Sequence, residues 1–288
     1  MKSKPKQLSN YSFQAIGTYW SVITHAPLPD EVVAAIDQTV EEFDSIYSRF
    51  RSDSLVRQMS EHAGSYTFPQ SSSYLFDFYE QLYIATDGQM TPLIGDLLVD
   101  AGYDDSYSFS PGSLRDVAVL EDAIDRKGAA LTIHQPVTLD LGAAGKGYLI
   151  DIIGALLESN NIADYIVDGS GDMRHQGDIE NRVGLEHPGN TSQVIGVIDV
   201  SNKSLAASAT NRRQWKGMHH VLNPHTKKPV ENVVATWVIA DEAMVADGLA
   251  TALFFVNPDR LKNFSFQYVR MHSDGSLDYS PELGGQLF

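Results

Sequence analysis

The stretch DLGAAGKGYLID, residues 140–151, places three glycines and a lysine between a predicted strand and a predicted helix. The preceding residues 129–141 alternate as in a hairpin strand, and helical periodicity begins at Tyr148. Glycines allow a ligand to approach the backbone closely, and amide groups at a helix N-terminus favour a phosphate. The spacing differs from that of a Walker A loop, because the glycines are too close together and no Ser or Thr follows Lys146. Taken alone, this turn is equally consistent with a purely structural role.

Outward from this turn, helices and hairpin-linked strands alternate irregularly along the chain. The patterns predict a helix with Asp30 as its N-cap, helices that begin near residues 71–73 and at the cap pair Thr91-Pro92, and a final helix over about residues 242–256. Predicted strands cover residues 13–24, 165–167, 194–200, 233–240 and 266–271. This order favours an α+β fold with mixed, largely antiparallel sheets, packed helices and two intimately associated lobes. We predict a flexible tail at residues 1–10 and a single domain at residues 11–288.

The composition excludes several classes of function. With 21 basic and 37 acidic residues the net charge is −16, which disfavours nucleic acid and anionic membranes as partners. An anionic ligand would therefore need a local metal ion, lysine or helix N-terminus. The absence of cysteine excludes thiol catalysis, thiolate metal sites and disulfides. No segment is long and apolar enough to span a bilayer. With Met1 as the natural start we expect a cytoplasmic protein, and an exported protein without its signal peptide is the alternative.

Asp247 and Thr251 lie four residues apart on the last predicted helix, so that the carboxylate and the hydroxyl project from one face. Both are hard oxygen donors of the kind that Mg²⁺ or Ca²⁺ prefers. An isolated pair at this spacing is more often a solvated surface or a local hydrogen bond. The apolar neighbours of both residues argue against a wholly solvated surface. The pair is therefore a candidate for metal binding.

Two further short segments have a chemical and a structural interpretation. His220 could act as a general base if its pKa lies near neutrality, but a half-buried histidine in a strand is the more common case. The nine histidines show no spacing typical of zinc ligands. Gly169-Ser170-Gly171 follows a predicted strand, but its spacing departs from the Rossmann pattern. We therefore predict a structural turn there.

The order of these segments is more specific than any one of them. Residues 140–151 are similar to the motif D-L-G-G-I-A-K-G-Y-x-x-D, and residues 247–251, DGLAT, are similar to D-A-L-A-T. Residues 220–224, HVLNP, resemble H-I-I-D-P, and residues 16–20 resemble an opening M-G-T strand. Further matches lie at residues 47–54, 87–95, 169–172, 184–188 and 207–210. From residue 17 to about residue 256 the chain thus resembles the FAD:protein FMN transferases, also called ApbE-type flavin transferases.

The resemblance implies an activity and a set of site residues. The family transfers FMN from FAD, its substrate, to a Ser or Thr hydroxyl of a client flavoprotein and releases AMP, with Mg²⁺ as the cofactor. Its metal ligands correspond to the Gly145 carbonyl, the Asp247 carboxylate and the Thr251 hydroxyl, and its general base to His220. Its FAD contacts correspond to Ile16, Phe50, Gln89, Met90, Thr91, Gly142, Lys146, Tyr148 and Val221.

Three alternatives stay open at this point. An enzyme with the same site could use water as the acceptor and act as a Mg²⁺-dependent FAD pyrophosphatase that releases FMN and AMP. A flavin-binding module without catalysis is the second, because Thr91, Asn223 and Lys227 depart from the family pattern. A structural domain without a ligand is the third, and the number of ordered motifs argues against it.

Overall fold

A computed structural model describes residues 8–288 of the chain. Residues 1–7 of the predicted tail lie outside the described residues, and Ser9 and Asn10 already belong to the first strand. Within residues 8–288 the strands are β1 (Ser9–Ala15), β2 (Thr18–Thr24), β3 (Gly64–Thr67), β4 (Ile124–Lys127), β5 (Ala130–Ile133), β6 (Tyr165–Gly169), β7 (Asp172–Gln176), β8 (Arg182–His187), β9 (Asn190–Asp199), β10 (Ser204–Ala209), β11 (Gln214–Trp215), β12 (Met218–His219), β13 (Leu222–Asn223), β14 (Lys228–Pro229), β15 (Val233–Ala240), β16 (Phe266–His272), β17 (Leu277–Tyr279) and β18 (Gly285–Leu287).

The helices are interspersed among these strands without a regular repeat. They are α1 (Asp30–Tyr47), α2 (Leu55–Glu61), α3 (Ser72–Ala85), α4 (Gly95–Asp100), α5 (Leu120–Ala123), α6 (Gly145–Ser159) and α7 (Ala243–Ala252). Short 3-10 turns cover Pro92–Ile94, Thr210–Arg212 and Pro258–Leu261. Within residues 8–288, no helix combines the length and the apolar character that a bilayer crossing requires.

An eight-stranded antiparallel sheet forms the centre of the molecule. Its strands lie in the order β1-β2-β6-β7-β10-β15-β16-β17. Two three-stranded antiparallel sheets, β18-β9-β8 and β3-β5-β4, and two short ribbons, β11-β12 and β13-β14, accompany it. The predicted α+β fold with largely antiparallel sheets is therefore confirmed.

The large sheet separates two hydrophobic cores. Side chains alternate between the faces of a strand, so in β15 Val238 joins one core while Trp237 and Ile239 join the other. The larger core lies between the sheet and the helices, and α6 and α7 contribute most of their buried residues to it. The smaller core packs the opposite face against β8 and β9 through Leu185 and Ile195. Since α6 and α7 are held against the sheet, their N-terminal ends have fixed positions.

Several predicted boundaries are wrong for identifiable physical reasons. The predicted strand at residues 13–24 is a hairpin, because the chain turns at Ile16 and Gly17 with φ of 43° and 75°. The first helix begins at Asp30 but has Pro29 as its N-cap. The strand predicted over residues 129–141 ends at Ile133. Helix α6 starts at Gly145 and so includes part of the glycine cluster, which sequence periodicity assigned to the preceding turn.

Candidate functional site

A cavity of about 1220 Å³ opens between the glycine-rich turn, the β1–β2 turn, α7 and the segments that follow α1 and β10. Its wall combines polar and aromatic side chains from distant parts of the chain. All but one of the site residues that the sequence predicts line it, namely Ile16, Phe50, Gln89, Met90, Thr91, Gly142, Gly145, Lys146, His220, Val221, Asp247 and Thr251. The fold thus collects segments that are up to 235 positions apart in sequence, the separation of Ile16 and Thr251.

Tyr148 is the exception. Its ring is 6% exposed and packs behind the cavity wall, with ring centroids 6.1 Å from Phe43 and 6.0 Å from Tyr47. Phe43 and Tyr47 themselves line the cavity. Tyr148 therefore supports the wall from behind. It is not among the residues that line the cavity, so the predicted contact between Tyr148 and FAD stays a prediction.

Asp140 fixes the start of the glycine-rich turn. Its amide donates a hydrogen bond to the Pro92 carbonyl at 2.8 Å. Its carboxylate accepts one from the Gly142 amide at 2.8 Å and one from Arg49 Nε at 2.5 Å. Carboxylate oxygens that accept backbone amides hold a turn in one conformation. Gly142 and the buried Arg49 are consequently held together at the cavity wall.

Helices α6 and α7 touch backbone to backbone beside this turn. A Cβ atom on Gly147 would lie 2.2 Å from the carbonyl oxygen of Ala243, so only glycine permits the approach. The Gly147 amide donates to Asp247 Oδ2 at 2.9 Å. Asp151, one turn later on α6, caps α7 by accepting from the amides of Ala243 and Met244 at 3.0 and 2.8 Å. These contacts set the position of Asp247 relative to residues 145–147.

Asp247, Asp172 and Lys146 form a buried charge cluster at this end of the cavity. The carboxylate-bearing residues are 4% and 1% exposed, and Lys146 Nζ lies 2.7 Å from Asp172 Oδ2. Burial raises the pKa of Asp247 well above its usual value, and the Asp172 charge raises it further. Burial lowers the pKa of Lys146, but the charges of Asp172 and Asp247 outweigh this effect and the pKa is raised. Lys146 therefore pairs with Asp172, and its charge also acts on the nearby Asp247.

The donor set at this cluster fits a hard divalent cation. Asp247 supplies a carboxylate, Thr251 lines the same cavity one helical turn later, and Gly145 lies two residues before the amide that contacts Asp247. Oxygen donors and a residual negative charge favour Mg²⁺ or Ca²⁺ over a soft metal. Asp247, Thr251 and the glycine-rich turn therefore line the same cavity, as a shared metal site requires. Asp172 is an acidic neighbour that sequence reasoning did not include.

The two adjacent histidines have different environments. His219 is buried, contacts the Val230 carbonyl through Nε2 at 2.9 Å, and accepts from the Val221 amide through Nδ1 at 3.2 Å. His220 lines the cavity, and within residues 8–288 no hydrogen-bond partner reaches its buried Nδ1. Burial, followed by the charge of Arg213, lowers the pKa of His220 to about 3. His220 is therefore neutral near pH 7, but its pKa lies well below the near-neutral value that the sequence analysis set as the condition for a general base.

An aromatic cluster forms a second part of the cavity wall, called the aromatic end below. Phe50 stacks on Tyr107 with centroids 5.4 Å apart, and Tyr103 meets Phe50 edge to face at 5.5 Å. The Arg49 guanidinium lies 4.0 Å from the Phe50 ring centroid, within the range of a cation–π contact. Trp215 backs Tyr103 and donates to the Ala101 carbonyl at 2.7 Å. Such a wall suits a flat aromatic ligand, and of its residues the sequence prediction named only Phe50.

The three departures from the family motifs have local structural roles. Asn223 accepts from the amides of His225 and Thr226 at 2.9 and 3.1 Å and donates to the side chain of Gln89 at 2.8 Å. Thr91 caps the 3-10 turn that begins at Pro92 by accepting from the Leu93 amide at 3.2 Å. Lys227 adopts a φ of 57° and forms an ion pair with Asp116 at 2.8 Å. Each of the three residues therefore has a defined place in the turns beside the cavity.

Comparison with known proteins gives the same family at the levels of sequence and fold. The model of the ApbE family matches residues 16–270. The FAD:protein FMN transferase of Vibrio cholerae is 24% identical, with 89% of this chain and 84% of the relative covered. That of Escherichia coli K12 is also 24% identical, over 86% and 78% of the two chains.

Two solved structures share the fold. The ApbE protein of Thermotoga maritima superposes with a TM-score of 0.81 at 22% identity, covering 96% of this chain and 97% of the other. The flavin transferase ApbE of Vibrio cholerae gives a TM-score of 0.78 at 20% identity, with 96% and 98% covered. The family model spans most of the sequence, including the glycine-rich turn, His220 and Asp247. The chain belongs to the ApbE family.

Proposed function

We propose that this protein transfers FMN from FAD to a Ser or Thr hydroxyl of a client flavoprotein and releases AMP, in a reaction that depends on a divalent cation such as Mg²⁺. The observation that carries the proposal is the approach of α6 to α7, in which the Gly147 amide contacts Asp247 at 2.9 Å beside Lys146. This contact joins the two segments that carry the family's metal-binding motifs. The names of the curated relatives, FAD:protein FMN transferase, agree with the proposal.

The division of the cavity supports a dinucleotide as the substrate. FAD combines a flat ring system with a charged diphosphate, and the cavity combines an aromatic end at Phe50 and Tyr103 with a charged end at Lys146 and Asp247. Its volume of about 1220 Å³ exceeds the range typical of pockets for drug-sized ligands. Lys146 and the backbone amides at the N-terminus of α6 offer the local positive charge that a diphosphate needs on an acidic protein.

The chemical step is a transfer of the FMN phosphoryl group. The acceptor oxygen forms a bond to the phosphorus of the FMN half, the bond from that phosphorus to the AMP oxygen breaks, and the acceptor proton moves to His220. The Gly145 carbonyl, Asp247 and Thr251 would hold a divalent cation, which would supply positive charge to neutralise the diphosphate. His220 is neutral near pH 7, so its proton-accepting form is present, although a pKa of about 3 makes it a weaker base than a histidine of ordinary pKa.

The test uses purified protein, FAD and Mg²⁺, with and without a flavoprotein domain that the Vibrio cholerae relative modifies, and that relative serves as the positive control. We expect AMP release that requires the acceptor, together with an acceptor mass increased by one FMN less one water. Equal AMP release without the acceptor would instead identify an FAD pyrophosphatase. Retention of intact FAD without any turnover would identify a binding module and overturn the proposal. The cytoplasmic location stays a prediction.

A further inference from the structure

Asp172 lies behind the charged part of the cavity wall, where it contacts Lys146 without itself lining the cavity. It begins β7, immediately after the tight turn at Ser170 and Gly171, where φ is 62° and 103°. Its Oδ1 accepts from the Ala207 amide at 2.9 Å, and its Oδ2 lies 2.7 Å from Lys146 Nζ. The side chain is 1% exposed, so its charge is nearly unscreened by solvent.

The charges of this cluster do not balance. Among the ion pairs formed within residues 8–288, Lys146 is the one cationic side chain that contacts Asp172, and no cationic side chain has a contact with Asp247. Two nearly buried carboxylates lie beside one ammonium group, so neutralising the cluster takes either a proton, as the raised pKa of Asp247 reflects, or a further cation. An uncompensated buried charge is strongly unfavourable, so the cluster favours a further cation.

We propose that Asp172 is an additional acidic residue of the cation site, whose charge acts on a bound divalent cation and raises the affinity for it. This inference rests on the proposed function, in that it takes the cation to be held by Asp247. A simpler role is also compatible with the ion pair, namely that Asp172 only anchors Lys146. The two roles predict different results when Lys146 is removed.

A double-mutant cycle on Asp172 and Lys146 separates these roles. The cycle uses Asp172→Asn, Lys146→Met and the double variant, because Asn keeps an acceptor for the Ala207 amide while removing the charge. Mn²⁺ alone is the probe, without FAD, and its dissociation constant is measured by calorimetry and by paramagnetic resonance. Asp44→Asn is the matched control, since Asp44 also lines the cavity and its ion pair is with Arg51, at 3.9 Å.

If Asp172 acts on the cation, Asp172→Asn weakens Mn²⁺ binding about 10- to 100-fold, the range found when groups around a metal site are removed. The weakening persists in the Lys146→Met background, where no ammonium group is left to anchor. Lys146→Met alone strengthens Mn²⁺ binding, because the competing positive charge is gone. Asp44→Asn leaves the dissociation constant unchanged within error.

Two results would overturn the inference while leaving the proposed function intact. One is an unchanged Mn²⁺ affinity in Asp172→Asn, and the other is an effect that disappears once Lys146 is replaced. Asp247→Ala provides the reference for the proposed function, because Mn²⁺ binding that survives in this variant would overturn the metal site itself. Circular dichroism and thermal unfolding check each fold, and Asp172→Ser, which keeps a hydroxyl acceptor, replaces Asp172→Asn if the latter does not fold.

Discussion

The two ends of the cavity are built in different ways. At the charged end, Asp247 and Asp172 lie on α7 and β7, are almost fully buried, and accept hydrogen bonds from backbone amides of α6 and β10. At the aromatic end, Tyr107 and Phe109 lie on the connection between α4 and α5 and are 47% and 38% exposed. The two carboxylates are thus attached to regular structure, whereas Tyr107 and Phe109 are attached to a loop.

This difference indicates how each end should respond to change. Catalytic groups must keep their geometry to within a fraction of an ångström, which packed helices and strands provide. A stacking surface tolerates small displacements, since the energy of an aromatic contact depends weakly on position. Substitutions at the charged end should therefore affect turnover most, and substitutions at the aromatic end should affect FAD affinity most.

The largest effect is expected for Asp247→Ala. Removing the carboxylate should reduce Mg²⁺-dependent FAD turnover by about 10²- to 10³-fold or more, since the stabilisation of transition-state charge is lost. The fold should be retained, because the substitution removes a buried charge and leaves α7 capped by Asp151. AMP release with and without Mg²⁺, together with thermal unfolding, measures both. Normal turnover in this variant would exclude Asp247 from the mechanism.

His220→Ala tests whether the charged end includes the proton acceptor. We expect transfer to slow by about 10²-fold, the usual contribution of a general base, while FAD binding changes much less. Single-turnover rates and FAD titration separate the two quantities. His219→Gln is the control, because His219 contacts the Val230 carbonyl and is absent from the cavity lining. A variant of His220 that loses only affinity would make this residue a binding group.

The pH profile distinguishes His220 from an ordinary histidine. Its pKa of about 3 lies below the usual 6.5, so the neutral, proton-accepting form persists as pH falls through 6.5 and is lost only towards pH 3. The rate of the transfer step should therefore show no inflection from this group between pH 5 and pH 8. Because Arg213 contributes to the shift, Arg213→Gln should raise the pKa. An inflection near pH 6.5 that His220→Ala removes would show that the pKa of His220 is not lowered.

How much could be predicted from the sequence differs between the two ends. Gly145, Lys146 and Asp247 were predictable because they occur in contiguous motifs, whose spacing survives in a single chain. Asp172 also lies in a matched segment, residues 169–172, but its ion pair with Lys146 depends on the tertiary approach of β7 to α6. Local pattern does not encode such an approach.

Almost no sequence pattern predicts the aromatic end of the cavity. Tyr103 and Tyr107 occur in a turn-rich stretch without periodicity, and their contact with Phe50 joins segments more than fifty residues apart. The hairpin at Ile16 was missed for a related reason, because a β-branched residue rarely adopts the φ of 43° that the turn requires. Periodicity predicted the core elements well, whereas loop conformations depend on contacts that form only in the folded chain.

Asp151→Ala tests whether the geometry of the charged end depends on the cap of α7. Loss of the cap should lower the free energy of unfolding by about 1–2 kcal/mol and reduce turnover moderately, because the first turn of α7 positions Asp247. Glu158→Ala is the control, since Glu158 also pairs with Arg174, at 3.1 Å, but does not contact α7. Denaturant unfolding and FAD turnover are measured on both. Equal effects of the two variants would assign the loss to the Arg174 ion pair.

The smallest effect is expected at the aromatic end, from Tyr107→Ala. Removing one partner of the stacked pair with Phe50 should weaken FAD binding by about 0.5–1.5 kcal/mol, the usual value of an aromatic pair. Mn²⁺ affinity and the single-turnover rate at saturating FAD should not change, because Tyr107 has no contact with the charged cluster. Phe109→Ala, on the same loop, should have a weaker effect, since its ring is tilted against Trp215 and is not stacked on Phe50. If Tyr107→Ala instead lowers the saturated rate and spares FAD affinity, the aromatic loop positions the reacting groups, and the division between the two ends is wrong.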